Sequence, residues 1–332
     1  MTPSPSPDHS PVPEAPHASP SGRTGDPTGL PADELARRRA GLGFGIACYT
    51  LWGGLPLIFR LAEPATSTEI LAHRIVWSLV FCFGLLAVAR GFTALGPVLK
   101  NRKLVVTLCV ASVIVAANWL IFLFGVEIGR VVDVSLGYYI NPLVTVAVGV
   151  IALRNRLRPL QWVAMGIGLV AVIVLSVGTG EVPWLSLGLA GTFAVYGYIK
   201  SRVGKDVGAI QSLTIETAFL TPFAGIFLIW LTATGGSHFG TEGAWHTVVM
   251  LLLGPITAVP LVLFAAASSR VPLVWMGMMQ YLAPTIQFVI SVTMLGEEMA
   301  PARWAGFFII WGALVVLTVD GILAARRNRR LR

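Results

Sequence analysis

Charge is what this chain has least of: 12% of its 332 residues are Asp, Glu, Lys or Arg, against about 25% in soluble domains. With 55% hydrophobic residues and a mean hydropathy of +0.76, there is too little polar surface to cover a soluble core of this size. Soluble enzymes and DNA-binding domains are thereby excluded. Cysteine is scarce too. Cys48, Cys82 and Cys109 all fall within apolar runs, and an odd number of lipid-buried thiols argues against a disulfide framework. Histidine numbers five, and no Cys/His spacing suggests a metal site. No Walker motif is present, and the stretch Gly166-Ile167-Gly168-Leu169-Val170-Ala171 lies inside an apolar run with no strand before it, so it is no dinucleotide fingerprint. No cofactor is expected.

What is present is a series of apolar runs of roughly 20 residues, the length a hydrocarbon core about 30 Å thick requires of a helix. The runs place ten spans at 41–61, 69–89, 104–125, 132–153, 160–178, 184–200, 209–232, 245–267, 273–295 and 303–325. The expected fold class is an all-α polytopic membrane protein embedded in the lipid bilayer of the cell membrane. Residues 1–36 hold 9 of the 21 prolines and no apolar run, and are expected to form a disordered cytoplasmic tail. Residues 326–332 form a second, basic tail.

The excess of positive charge, +8, sits in short connections and not in a nucleic-acid-binding face. Arg37–Arg39, Arg90, Lys100, Arg102, Lys103, Arg154, Arg156, Arg158, Lys200, Arg202, Lys205, Arg270 and the C-terminal arginines fall on one side of the ten-span arrangement. Glu63, Glu127, Glu181, Glu242, Glu297 and Glu298 fall on the other. The positive side is expected to be cytoplasmic, with both termini there. Arg60, Arg130 and Arg303 are exceptions at outer helix ends.

A shift of 142 residues aligns Pro142 with Pro284, Leu153 with Leu295, Pro159 with Pro301 and Trp162 with Trp304. The expected organisation is two five-helix repeats, 37–180 and 181–325. Five is odd, so the second enters the membrane inverted, and Arg154-Asn155-Arg156 becomes Gly296-Glu297-Glu298. Many secondary transporters are built this way.

Candidate functional residues follow from polar groups inside the spans. Tyr138, Asn141, Gln280 and Tyr281 precede Pro142 and Pro284, whose rings deny an amide to the carbonyls of Tyr138 and Gln280. In lipid such carbonyls need a protein or cavity partner. These four are expected to wall a solute cavity through two proline-broken helices. A second reading is open for each: a kinked helix whose polar groups bond to neighbours. Asn118 and Trp119 offer an amide and an aromatic wall, or only packing. His73 and Arg74 lie just inside span 2, with Arg74 roughly 7 Å deep, snorkelling outward or facing a wet interior. Glu216 occupies the matching place in span 7, on the order of 15 Å from Arg74 across the midplane. The three are candidate gate or coupling groups, Glu216 as a carrier of protons or as a hydrogen-bonded structural acid.

The strings His73-Arg74-Ile75-Val76-Trp77-Ser78, Asn118-Trp119, Ser135-Leu136-Gly137-Tyr138-Tyr139-Ile140-Asn141-Pro142-Leu143, Ile215-Glu216-Thr217 and Gln280-Tyr281 with Pro284-Thr285 resemble the RarD family, in the EamA-type branch of the drug/metabolite transporter superfamily. The resemblance covers about 41–325. It implies ten helices as two inverted EamA-like repeats, a central cavity from spans 1–4 and 6–9, and peripheral spans 5 and 10. It implies a secondary transporter of a small organic metabolite or drug-like solute, with export the expected direction. A non-transporting sensor or assembly factor on the same fold is the alternative. A membrane-embedded lipid-modifying enzyme is weaker still, because the spans lack clustered carboxylates or a His/Asp set.

Overall fold

The computed structural model describes residues 32–153, 157–203 and 207–330. Residues 1–31 of the expected tail, and Arg154, Arg156, Lys205 and Arg332, lie outside the described residues. Every described element is helical. The long helices are α1 (Ala32–Arg60), α2 (Ser67–Val88), α4 (Arg102–Glu127), α5 (Val131–Leu153), α6 (Pro159–Thr179), α7 (Trp184–Val203), α8 (Ala209–Ala233), α9 (Gly243–Ser268) and α12 (Pro301–Arg330). Short helices α3 (Leu95–Lys100), α10 (Leu273–Met279) and α11 (Leu282–Thr293) complete the set, with one 3-10 turn at Gly91–Ala94.

The helix ends follow local chemistry. Thr66 caps α2 by accepting from the Glu69 amide at 3.4 Å, and Asn101 caps α4 by accepting from that of Leu104 at 3.2 Å. Pro159 opens α6, where a missing amide costs nothing, and Gly180 at φ +73° closes it. Gly129, at φ +69°, turns the chain within three residues from α4 into α5. The N-terminal boundary differs from expectation. Helix α1 begins at Ala32, because Asp33 and Glu34 suit a helix N-terminus and Glu34 pairs with Arg38 one turn on at 2.8 Å. At the other end α12 continues to Arg330 instead of stopping before the basic residues.

Among the described residues, eight helices are long and apolar enough to cross a membrane: α1, α2, α4, α5, α6, α8, α9 and α12. The protein is a multi-pass membrane protein, and its surface supports this. Ile151, Val177, Phe223, Ile226 and Ile229 are exposed, while Glu69, Arg74, Ser78, Ser112, Asn118, Glu216 and Gln287 are buried. This reverses the soluble pattern and suits a lipid surround. Two expected spans fall outside those eight. The sixth is α7, which ends in Lys200 and Arg202.

The ninth expected span is not one helix. It divides at Gln280 and Tyr281 into α10 and α11. Pro284 cannot donate to the Gln280 carbonyl, so the turn opens there. Pro142 has no such result: α5 runs unbroken from Val131 to Leu153, which corrects the expectation of a second broken helix. The difference lies in the neighbours. Helix α5 is held on one flank by α7 and on the other by α11, and at Gly137 it approaches α7 so closely that a Cβ would lie 2.9 Å from the Ser186 carbonyl oxygen. Helix α10 has only seven residues and little packing beyond α1 and α9.

The principal packing partners are α6 with α12, α5 with α7, α1 with α11, α2 with α8 and α9, α1 with α9, α4 with α7 and α8, and α5 with α11. One core joins Leu55, Phe59, Ile70, Phe122, Leu123, Val134, Leu189 and Leu253. A second lies between α5, α6, α11 and α12 around Tyr139, Phe288, Phe307 and Ile310.

Candidate solute-binding site

Among the described residues Arg74 is the one arginine or lysine that is buried, at 6% exposed. It does not snorkel to a helix end. Its Nε donates to Thr257 Oγ1 at 2.8 Å, and Thr257 lies near the middle of α9, about 21 Å from its start and about 16 Å from its end at 1.5 Å per residue. The guanidinium sits 4.2 Å from the Trp119 ring centre and 5.6 Å from that of Phe59. Helices α1, α2, α4 and α9 thus converge on one cation. Such contacts with a desolvated guanidinium are worth about 2 kcal/mol. Tyr138 joins the same core as Phe59, its ring 6.0 Å from Phe122 and 6.3 Å from Phe193. Trp119, expected as a cavity wall, therefore serves as a platform for Arg74.

Glu216 is 2% exposed and fully engaged. Lys200 Nζ reaches its Oε1 at 2.6 Å, Ser212 Oγ donates to the same oxygen at 2.7 Å, and Tyr196 OH donates to Oε2 at 3.2 Å. Lys200 also bonds Ser212. A fixed cation on the carboxylate favours a structural ion pair over a free proton carrier. Glu216 and Arg74 do not meet, as their separation implied.

His73 is occupied by structure as well. Its Nδ1 accepts from Trp77 Nε1 at 3.1 Å, and its ring stacks on Phe239 at 4.6 Å. Beside it, fully buried Glu69 accepts from the His238 amide at 2.8 Å and from Ser237 Oγ at 3.1 Å, and contacts His238 Nδ1 at 2.8 Å. Asn118, 1% exposed, donates through Nδ2 to the Leu189 carbonyl at 3.0 Å and to Thr192 Oγ1 at 2.9 Å. It clamps α4 to α7, the packing reading of the two. Replacing Asn118 with leucine is expected to lower unfolding stability by about 1 kcal/mol, read by denaturant titration in detergent.

The four expected cavity residues divide into two places. Tyr281 stacks on Tyr139, not Tyr138, at 6.5 Å, and Tyr139 bonds Thr285 at 2.7 Å. Tyr138 points instead to α4 and α7. Asn141 accepts from Thr145 within α5 at 3.4 Å, and Gln280 occupies the break between α10 and α11. Gln287 lies three residues beyond Pro284 in α11. It is buried, donates to the Trp52 carbonyl at 3.1 Å and leaves its own Oε1 without a partner among the described residues. A groove of about 420 Å³ lies elsewhere, between the start of α2 and the end of α4, lined by Thr66, Ser67, Leu120, Phe124, Glu127 and Trp184.

The helix end near that groove carries a polar network. Arg130 bonds Asp133 and Glu181, each at 2.6 Å. Glu297 accepts from the Val132 amide at 2.9 Å and from Ser291 at 2.5 Å, with Arg303 3.5 Å away. Burial pushes the Glu297 carboxyl above its ordinary value. These contacts tie the start of α5 to the loops before α7 and α12. The sequence placed Arg130 and Arg303 as exceptions to charge asymmetry; here each has an acidic partner.

Comparison with known proteins adds the decisive observation. A model of the EamA-like transporter family matches residues 39–177. The chain is 45% identical over 293 residues to Protein RarD of Streptomyces exfoliatus, covering 88% of this chain and 92% of that one. The chain belongs to the RarD family. That family is of EamA type, within the drug/metabolite transporter superfamily. An uncharacterized transporter of Vibrio cholerae is 35% identical over 89% of this chain and 97% of its own. A crystal structure at 17% identity, with TM-score 0.56, covers 87% of this chain and 98% of that one, and shows the fold alone. A transport role follows for RarD-family members such as this one. Arg74, Trp119 and Glu216 fall on strings that carry the family resemblance, whereas their partners Thr257, Phe59 and Lys200 lie outside those strings.

Proposed function

We propose that this protein is a secondary transporter of a small organic solute, not an enzyme, working by alternating access through two inverted five-helix repeats, 37–180 and 181–325. The observation that carries this reading is the pattern of helix partners. Let α1, α2, α4, α5 and α6 exchange with α7, α8, α9, α10–α11 and α12. The pair α5–α7 then becomes α11–α1, α2–α9 becomes α8–α4, and α1–α9 becomes α7–α4, while α6–α12, α2–α8 and α5–α11 map onto themselves; each product is itself a principal pair. An assembly with that exchange symmetry has two states of related geometry, one open to each side. On this reading α7 is the sixth span and α10–α11 the ninth, giving ten.

Charge supports an orientation with both termini in the cytoplasm of a cell-membrane protein. The acidic connections then lie outside, where Arg130 and Arg303 are paired. The network around Asp133, Glu181 and Glu297 closes the outer end in this state. The solute route is proposed to run past Tyr138, Asn141, Gln280 and Tyr281, between helices that must part to expose it. With Glu216 held by Lys200, the reading favours facilitated or exchange transport in the outward direction over a proton step at Glu216.

The test is efflux from proteoliposomes loaded with a bacterial metabolite extract and followed by mass spectrometry. Selective, protein-dependent loss of one or a few solutes is expected. Chemical conversion inside the vesicles, or no movement of any solute, contradicts the reading.

A further inference from the structure

Among the described residues, the buried carboxylates each have a hydrogen-bond or charge partner: Glu69 with His238, Asp133 with Arg130, Glu216 with Lys200 and Asp320 with Arg158. Arg74 is the opposite case. No carboxylate lies within ion-pair distance of it among the described residues, and neither Nη atom has a hydrogen-bond partner there; Nε alone is satisfied, by Thr257, and the Nη pair keeps a small accessible surface within a side chain that is 6% exposed. A guanidinium removed from water without a counter-ion is costly by several kcal/mol. Stacking on Trp119 and Phe59 offsets only part of that. The two Nη groups are a planar, bidentate donor pair, the geometry that matches a carboxylate. Their surroundings are aromatic: Phe59, Trp119 and, in the same core, Phe122 and Tyr138.

We infer that Arg74 is the anion-binding residue of the solute site, and that the transported class is small organic carboxylates with an apolar or aromatic body, the carboxylate taken by the Nη pair and the body lying against Trp119 and Tyr138. This rests on the transporter reading above for its meaning as cargo, while binding can be measured without it. The source of the anion follows from depth. Thr257 marks the middle of α9, so lipid headgroup phosphates at the membrane surface lie too far away to serve as the partner. A solute that enters between the parted helices does not. Neighbouring titratable groups do not compete. His73, adjacent in sequence, turns its ring to Trp77 and Phe239, and Glu216 is held by Lys200.

The experiment uses the full chain in lipid nanodiscs near neutral pH and matched ionic strength. A panel of small organic acids, headed by 3-phenylpropionate and indole-3-acetate, is compared with the corresponding neutral amides and amines by thermal unfolding and calorimetry. At least one acid is expected to bind about tenfold or more tighter than its own amide, about 1.4 kcal/mol, and Arg74→Gln is expected to abolish that difference. Arg74→Lys keeps the charge without the fork and should retain a weakened preference for acid. Should Arg74→Gln not fold, the acid-against-amide comparison on the unsubstituted protein and on Arg74→Lys still decides. If no acid in the panel is preferred to its amide, or if Arg74→Gln keeps the preference, the inference is overturned. Efflux of neutral solutes alone, with no acid bound, removes the anion site but leaves a transporter. Arg74-dependent binding of acids with no efflux of any solute removes the transporter reading and keeps the site.

Discussion

Replacing Lys200 with methionine is expected to lower the unfolding free energy by about 3 kcal/mol or more, the cost of leaving a buried carboxylate without its cation. Glu216 is 2% exposed and accepts from Lys200 at 2.6 Å. With the ammonium gone, only Ser212 and Tyr196 remain as donors. The reverse change is predicted to be milder. In Glu216→Gln the lysine is left alone, but it sits in the last turn of α7 with its side chain 27% exposed, and its stem can turn the charge toward water. The double variant Lys200→Met with Glu216→Gln should recover most of the loss. A thermodynamic cycle by chemical denaturation in detergent reads the coupling. Equal losses in the two single variants, with no recovery in the double, would show that the pair does not act as a unit.

A second large effect is expected at Gly254, in the middle of α9. A Cβ there would lie 2.9 Å from the Ser78 amide nitrogen and closer still to the carbonyl of Trp77. Both are backbone atoms of α2, so no side chain can turn aside to make room. The α2–α9 contact has to separate, and Arg74 on α2 loses its register with Thr257 on α9. Overpacking usually costs about 1–3 kcal/mol, and more where backbone is the obstacle. Gly254→Val is therefore expected to leave little folded protein, by size-exclusion profile and unfolding midpoint. Gly225→Ala in α8 is the control: a Cβ there meets nothing within 4 Å, so stability should hold or rise slightly with the better helix former. Folding of Gly254→Val at parental yield would mean that the close approach of α2 and α9 is misplaced.

Much of this was legible in the sequence because it depends on local pattern. The length of an apolar run locates a helix, and the recurrence of Pro142 at Pro284 relates two segments without knowing what either touches. The side-chain partners were not legible, for a physical reason. Lys200 and Glu216 meet because the last turn of α7 reaches the carboxylate two turns into α8, and Asn118 spends its amide on a carbonyl 71 residues away. Those partners depend on how helices rotate about their own axes. Similarly, an isolated reading of Arg74 could count residues from the start of its span, but not the reach of the side chain along α9. The two prolines make the same point. Each denies one carbonyl its amide, yet only the segment with little packing opened.

The central claim is that the two halves move against each other, opening one end as the other closes. Spin labels on cysteines at Glu127 and Glu298 report the proposed outer end, and a pair at Lys103 and Ser268 reports the opposite end; pulsed electron paramagnetic resonance gives both distances in nanodiscs. Arg130→Ala with Arg303→Ala removes cations from the outer network. Alternating access predicts that the outer distance lengthens in this variant while the opposite distance shortens. An outer end that loosens with no change at the other end, or two distances that lengthen together, would contradict it.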